Sequence, residues 1–123
     1  MLELPSPTFP VPSSDHHILA GTPDRLCRLV ARCVALDFGL EAGYLEAALR
    51  GSQRVAFARQ IAMYLAHVGF ALNFDAVGRA FGRDRTTVAH ACRVVEDGRD
   101  DIWFDCRMAT LELICRAAAG DVR

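Results

Sequence analysis

Seven positions in one short stretch carry side chains suited to recognition: Arg83, Asp84, Arg85, Thr86, Thr87, His90 and Arg93. Arginine presents a planar fork of donors that matches phosphate oxygens or the edge of guanine, and it keeps its charge at any relevant pH. Threonine adds a short hydroxyl and a methyl group that fits against the methyl of thymine. Asp97 and the pair Asp100-Asp101 read as a solvated helix junction, because no nucleophile or metal-ligand set accompanies them. An enzyme therefore has little support, and a binding surface is the expectation.

The periodicity around these residues places them on helices. Asn73 is a candidate N-cap for a helix through Phe81 that packs Phe74, Val77 and Phe81, with Ala76 and Ala80 as small residues at a close crossing. Gly82 forces a tight turn, and Asp84 caps a second helix that turns Val88, Ala91, Cys92 and Val95 inward. This is the layout of a helix-turn-helix, in which the N-terminal turn of the second helix enters the major groove. Less specific readings stand beside it: Thr86 or Thr87 as caps, and His90 buried against Phe81.

Upstream, Thr22-Pro23-Asp24 starts a helix with Leu26, Leu29, Val30, Cys33 and Val34 on one face, closed by Gly39. Glu41 to Leu49 offers a short helix with Tyr44, Leu45 and Ala48 inward. A longer one runs from Gln53 to about Val68 on Val55, Ala58, Ile61, Ala62 and Leu65, stopped by Gly69. The last helix spans about Ile102 to Ala119, with Met108, Leu111, Ile114 and Cys115 at helical spacing. No alternating, β-branched run appears, so the expected fold is all-α with about six helices. All five prolines lie in the first 23 residues, which reads 1–21 as a flexible leader where His16-His17 is solvated. Residues 22–97 form the helix-turn-helix domain, and 98–123 a C-terminal helix packed on that domain or on a second copy.

Charge supports the same partner. The net charge is -1, yet residues 50–95 hold seven arginines against Asp75 and Asp84 alone, while both flanks are acidic. A basic middle of this kind is the footprint of a polyanion-binding patch. Every basic residue is arginine, so a lysine-dependent P-loop is impossible within these 123 residues. The five cysteines include no Cys-x-x-Cys and read as reduced, mostly buried thiols with no metal. No apolar run is long enough for a membrane span, and the expected location is the cytoplasm, at the nucleoid.

Two segments then carry a family resemblance. Arg59-Gln60-Ile61-Ala62-Met63-Tyr64-Leu65, followed by Arg83-Asp84-Arg85-Thr86-Thr87-Val88-Ala89-His90-Ala91, resemble the C-terminal DNA-binding domain of the bacterial replication initiator DnaA, across roughly residues 22–97. The resemblance implies a helix-turn-helix of the Trp repressor and DnaA C-terminal type. In that family the recognition helix works in the major groove of a short DNA box, and a basic loop enters the minor groove. Arg59 matches an arginine that meets backbone phosphate. Asp84, Thr86 and Thr87 match positions that meet bases or phosphate, and His90 matches the motif histidine.

Departures are local. Gly82 stands alone where the family has two glycines, Arg85 replaces a base-reading histidine and so favours guanine, and His67 and Asp75 stand where lysine and proline are usual. The basic loop is thin, leaving Arg50 and Arg54. The expected DNA-contact set is Arg50, Arg54, Arg59, Asn73, Arg79, Arg83, Asp84, Arg85, Thr86, Thr87, His90 and Arg93, with no cofactor, nucleotide or metal. The expected function is sequence-specific binding of double-stranded DNA by a stand-alone bacterial regulator of transcription or of a replication origin, without ATPase activity. A homodimer through the C-terminal helix fits this reading. The alternative is a protein–protein adaptor that kept the fold and lost DNA binding.

Overall fold

The computed structural model describes residues 22–41, 43–47 and 52–120. They form α1 (Pro23–Phe38), α2 (Tyr44–Ala47), α3 (Gln53–Phe70), α4 (Phe74–Phe81), α5 (Arg85–Gly98) and α6 (Ile102–Ala118), with no strand among the described residues. The expected leader lies outside them, as does Ala48.

Each helix starts and stops for a local reason. Pro23 opens α1 behind Thr22 in extended backbone, and Gly39 closes it in the left-handed conformation (φ 70°). Ser52, Asn73, Asp84 and Asp101 cap α3, α4, α5 and α6, each accepting from a backbone N–H of the first turn. Gly69 does not stop α3, contrary to the sequence expectation. The helix continues through Phe70 and ends at Ala71, which takes φ 57°. Two interactions account for the extra residues. Phe70 and Leu72 pack against the core, and His67 donates from Nδ1 to the carbonyl of Leu72 at 2.7 Å, folding the chain back over the last turn.

The core is built around α3. Val55, Ala58, Ile61, Ala62, Met63, Tyr64, Leu65 and Ala66 are all buried, so this helix is enclosed on several sides. Around it α1 contributes Val30, Val34 and Phe38, α2 Leu45, α4 Val77 and Phe81, α5 Val88, Ala91 and Val95, and α6 Met108, Leu111 and Cys115. Two inward expectations fail. Tyr44 is 46% exposed because α2 is a single turn whose core position is taken by Leu45. Ile114 is 48% exposed, since Met108, Leu111 and Cys115 already fill the face of α6 that meets the core. On α1 the expected Leu26, Val30 and Val34 are buried and Cys33 packs half-buried against the core, while Cys27, Ala31 and Ala35 widen the buried face and Leu29 is half-buried.

Ion pairs fasten α6. Arg107 bridges to Asp37 of α1 at 2.5 Å, while Arg99 reaches Asp105 at 2.5 Å and the hydroxyl of Tyr64 at 2.8 Å. The five cysteines are free thiols. Burial pushes the Cys92 thiol up to about 11 and that of Cys27 up to about 12, so both stay protonated at neutral pH.

A close backbone approach between α4 and the segment that follows it falls at Gly78. A Cβ added there would sit 2.4 Å from the carbonyl oxygen of Arg83. Gly78→Ala is therefore expected to destabilise the domain by at least about 2 kcal/mol through overpacking, read as a lowered thermal midpoint in circular dichroism. Ala80→Gly should cost about 1–2 kcal/mol, the helix-propensity difference plus a half-buried methyl packed on the core.

Candidate nucleic-acid interface

The turn between α4 and α5 is short and fully specified. Gly82 adopts φ 69°, and the N–H of Arg83 donates to the carbonyl of Gly78 at 2.9 Å, satisfying the end of α4. The single glycine thus suffices to turn the chain, and Asp84 follows directly as the cap of α5. One oxygen of Asp84, Oδ1, accepts from three donors: the Thr87 hydroxyl at 2.9 Å, the Thr87 N–H at 3.2 Å and the Thr86 hydroxyl at 3.1 Å. The Thr87 hydroxyl, then the Thr87 N–H and the Thr86 hydroxyl, hold the carboxyl below the ordinary carboxylate range. Both threonines are therefore oriented by the cap and do not themselves cap the helix. Their hydroxyl protons point at Asp84, which leaves lone pairs and methyl groups for an incoming partner.

Asp84, Arg85, Thr86 and Thr87 are all exposed. His90 and Arg93, one and two turns further on, are exposed as well, while Val88, Ala91 and Val95 face the core. His90 is thus not buried against Phe81. Thr86, His90 and Arg93 follow one another at spacings of four and three, so they line one outward stripe of α5. Arg85 stands beside that stripe, its Nε 3.2 Å from Asp75 Oδ1 and its guanidinium 5.9 Å from the ring of Phe74.

The remaining expected contacts are placed differently. Arg79 is exposed on α4. Asn73 uses its side-chain oxygen to accept from the Ala76 N–H at 2.8 Å. Arg83 turns back to donate to the carbonyl of Phe81 at 2.7 Å. Arg54 donates to the carbonyl of Phe38 and lies over its ring at 5.5 Å. Arg59 is only 7% exposed, and its Nε donates to the carbonyl of Leu45 at 2.8 Å. Burial, with a smaller push from Arg83, lowers its pKa. Arg50 lies outside the described residues. The site that comes together is therefore the turn and outer face of α5, with Arg79 nearby in sequence on α4.

Sequence reasoning missed two members of this cluster. Phe74 reads as a plain core residue, yet it is half-buried and faces Arg85, and Asp75 reads only as a departure from a family pattern, yet it pairs with Arg85. Both lie ten or more residues upstream, beyond the reach of helical periodicity within one element.

A sequence profile described as the bacterial dnaA protein helix-turn-helix matches residues 27–95, more than half of the chain. The chain belongs to this DnaA helix-turn-helix family. Among relatives, the chromosomal replication initiator protein DnaA of Brucella abortus is 37% identical over 84 residues, covering 67% of this chain and 17% of that protein. DnaA 2 of Chlamydia pneumoniae is 37% identical over 67 residues, 54% of this chain and 15% of its own length. DnaA of Agrobacterium fabrum reaches 58% over 40 residues, 32% of this chain and 8% of its own. The chain thus matches less than a fifth of the length of these relatives. No helix among the described residues is long and apolar enough to cross a membrane.

The Asp84 cap yields a pH signature. A carboxyl held low in the folded state contributes stability that is present above its unfolded pKa and lost as pH falls through the folded value. The thermal midpoint of the protein should therefore drop on acidification through the carboxylate range. Asp84→Asn, which keeps an accepting oxygen without the charge, should reduce that drop, and Asp84→Ala should lower the midpoint already at neutral pH. Circular dichroism melts across the pH series check both.

Proposed function

We propose that this chain binds double-stranded DNA in a sequence-specific manner through α4 and α5. In this reading it regulates transcription or a replication origin in the bacterial cytoplasm, at the nucleoid. It does so without ATPase chemistry of its own, because its 123 residues hold no lysine and hence no Gly-x-x-x-x-Gly-Lys loop. The observation that carries the reading is the exposed, cap-ordered start of α5, where Arg85, Thr86, Thr87 and His90 stand clear of the core. A helix N-terminus in this position presents groups of the right size to base edges in the major groove. The exposed Arg79 and Arg93 supply phosphate contacts, and Arg50 is a further candidate by sequence alone. Arg59 serves the same surface from inside by tying α3 to the carbonyl of Leu45.

An adaptor that lost DNA binding is the competing reading, favoured by the acidic flanks. Fluorescence anisotropy with duplexes selected from a random pool separates the two. Each phosphate contact steepens the fall of log affinity with log salt by about 0.9. A DNA-binding protein should lose affinity steeply with salt, Arg93→Ala should shallow that slope by about one contact on every sequence, and Arg85→Ala should cost about 1–3 kcal/mol at one base pair only. An adaptor gives no duplex binding even at low salt.

A second copy seated on α6 completes the proposal. Ile102, Cys106, Ala109 and Leu113 recur at spacings of four, three and four along the exposed side of that helix, the spacing of a coiled-coil seam, with Ile102 at 67% and Leu113 at 69% exposure. Light scattering should give twice the monomer mass, and Leu113→Glu should return the monomer mass without changing the circular dichroism spectrum.

A further inference from the structure

The guanidinium of Arg85 on α5 is set by side chains that come from the end of α3 and from α4. His67 is fixed by its Nδ1 donation to the carbonyl of Leu72 at 2.7 Å, and its ring lies 4.5 Å from that of Phe74. Phe74 in turn lies 5.9 Å from the guanidinium carbon of Arg85, and Asp75 Oδ1 accepts from Arg85 Nε at 3.2 Å. The Arg85 and Asp75 side chains are 62% and 65% exposed, so the ion pair adds little to folding stability. Its consequence is directional. A guanidinium carries its five donors in one plane. With Nε committed to Asp75, the edge formed by the two terminal Nη groups is left as a pair of parallel donors on the exposed side of α5. Guanine offers the matching pair of acceptors, O6 and N7, on its major-groove edge.

We propose that Asp75 is a specificity-determining residue that positions Arg85: by holding Nε it aims the outer edge of the guanidinium at a guanine in the major groove and keeps it from swinging onto the phosphates. The inference rests on the duplex-binding reading above and deepens it. It carries a distinctive signature. A carboxylate beside the DNA repels the phosphates, so Asp75 gains base choice at some loss of general affinity. A residue that merely supported the fold would, on removal, weaken binding to all sequences alike.

The experiment uses the full 123-residue chain. Duplexes selected from a random pool by the wild-type protein give the preferred site, and Arg85→Ala identifies the base pair whose preference it flattens. Affinities are then measured for that site and for its three single-base-pair variants at that position. The wild type should favour guanine there on the order of ten- to a hundredfold. In Asp75→Asn and Asp75→Ala, discrimination at that pair should fall about three- to tenfold, with preferences elsewhere kept and affinity for random duplex equal or higher. The proposal is overturned if both variants keep full discrimination at the Arg85 pair, or if they weaken every duplex by the same factor. A wild type that binds no duplex with sequence preference overturns the duplex-binding reading itself, and with it this inference. That result is read before any variant at Asp75 is made, so the two failures are distinct.

Discussion

The backbone contact between Gly78 and Arg83 governs the geometry of the motif. With no side chain at position 78, the carbonyl of Arg83 lies where a Cβ would have been, at 2.4 Å from that point. This close approach lets three residues, Gly82, Arg83 and Asp84, join α4 to α5, and the N–H of Arg83 closes the turn on the carbonyl of Gly78. The turn leaves Asp84 at the cap position, and the cap fixes where Thr86 and Thr87 point. Each step is local and short-ranged, so the direction of the exposed face follows from one glycine. A family pattern with two glycines at this turn is not needed, because the left-handed conformation is required only at Gly82.

Electrostatics then divides the arginines of the basic middle into two groups. Arg54, Arg59 and Arg83 donate to backbone carbonyls of Phe38, Leu45 and Phe81. These carbonyls lie at or near helix ends, where acceptors are left over and a cation is favourable. Arg79, Arg85 and Arg93 are exposed on α4 and α5. The first group shapes the surface and the second charges it. A net charge near zero hides this division, since the acidic residues lie mostly outside the segment from Arg50 to Val95.

Much of this was legible in the residues, and the misses have physical causes. Caps and glycine turns announced the limits of α1 and α4 and the start of α5, because each depends on residues at the boundary itself: Pro23 and Gly39, Asn73 and Gly82, and Asp84. Periodicity failed where packing is not one-sided. The enclosed helix α3 buries residues around its circumference, including Met63, Tyr64 and Arg59, which an amphipathic pattern leaves outside. Its end at Ala71 depends on His67 reaching Leu72, a tertiary detail without local signature. At the interface the outward threonines and His90 follow from subtracting the core face of α5. The fates of Arg59 and Arg83 do not, because residue type alone does not distinguish an arginine bound to a carbonyl from one facing solvent.

The account stands on the outer face of α5 being the surface that meets the duplex. Two-dimensional amide NMR of the chain titrated with its selected duplex tests this most directly. The account predicts that the largest shifts fall on the residues from Arg83 to Arg93, with smaller ones around Arg79, while the signals of α6 stay in place. Shifts concentrated on α6 with the α5 signals unmoved would contradict it.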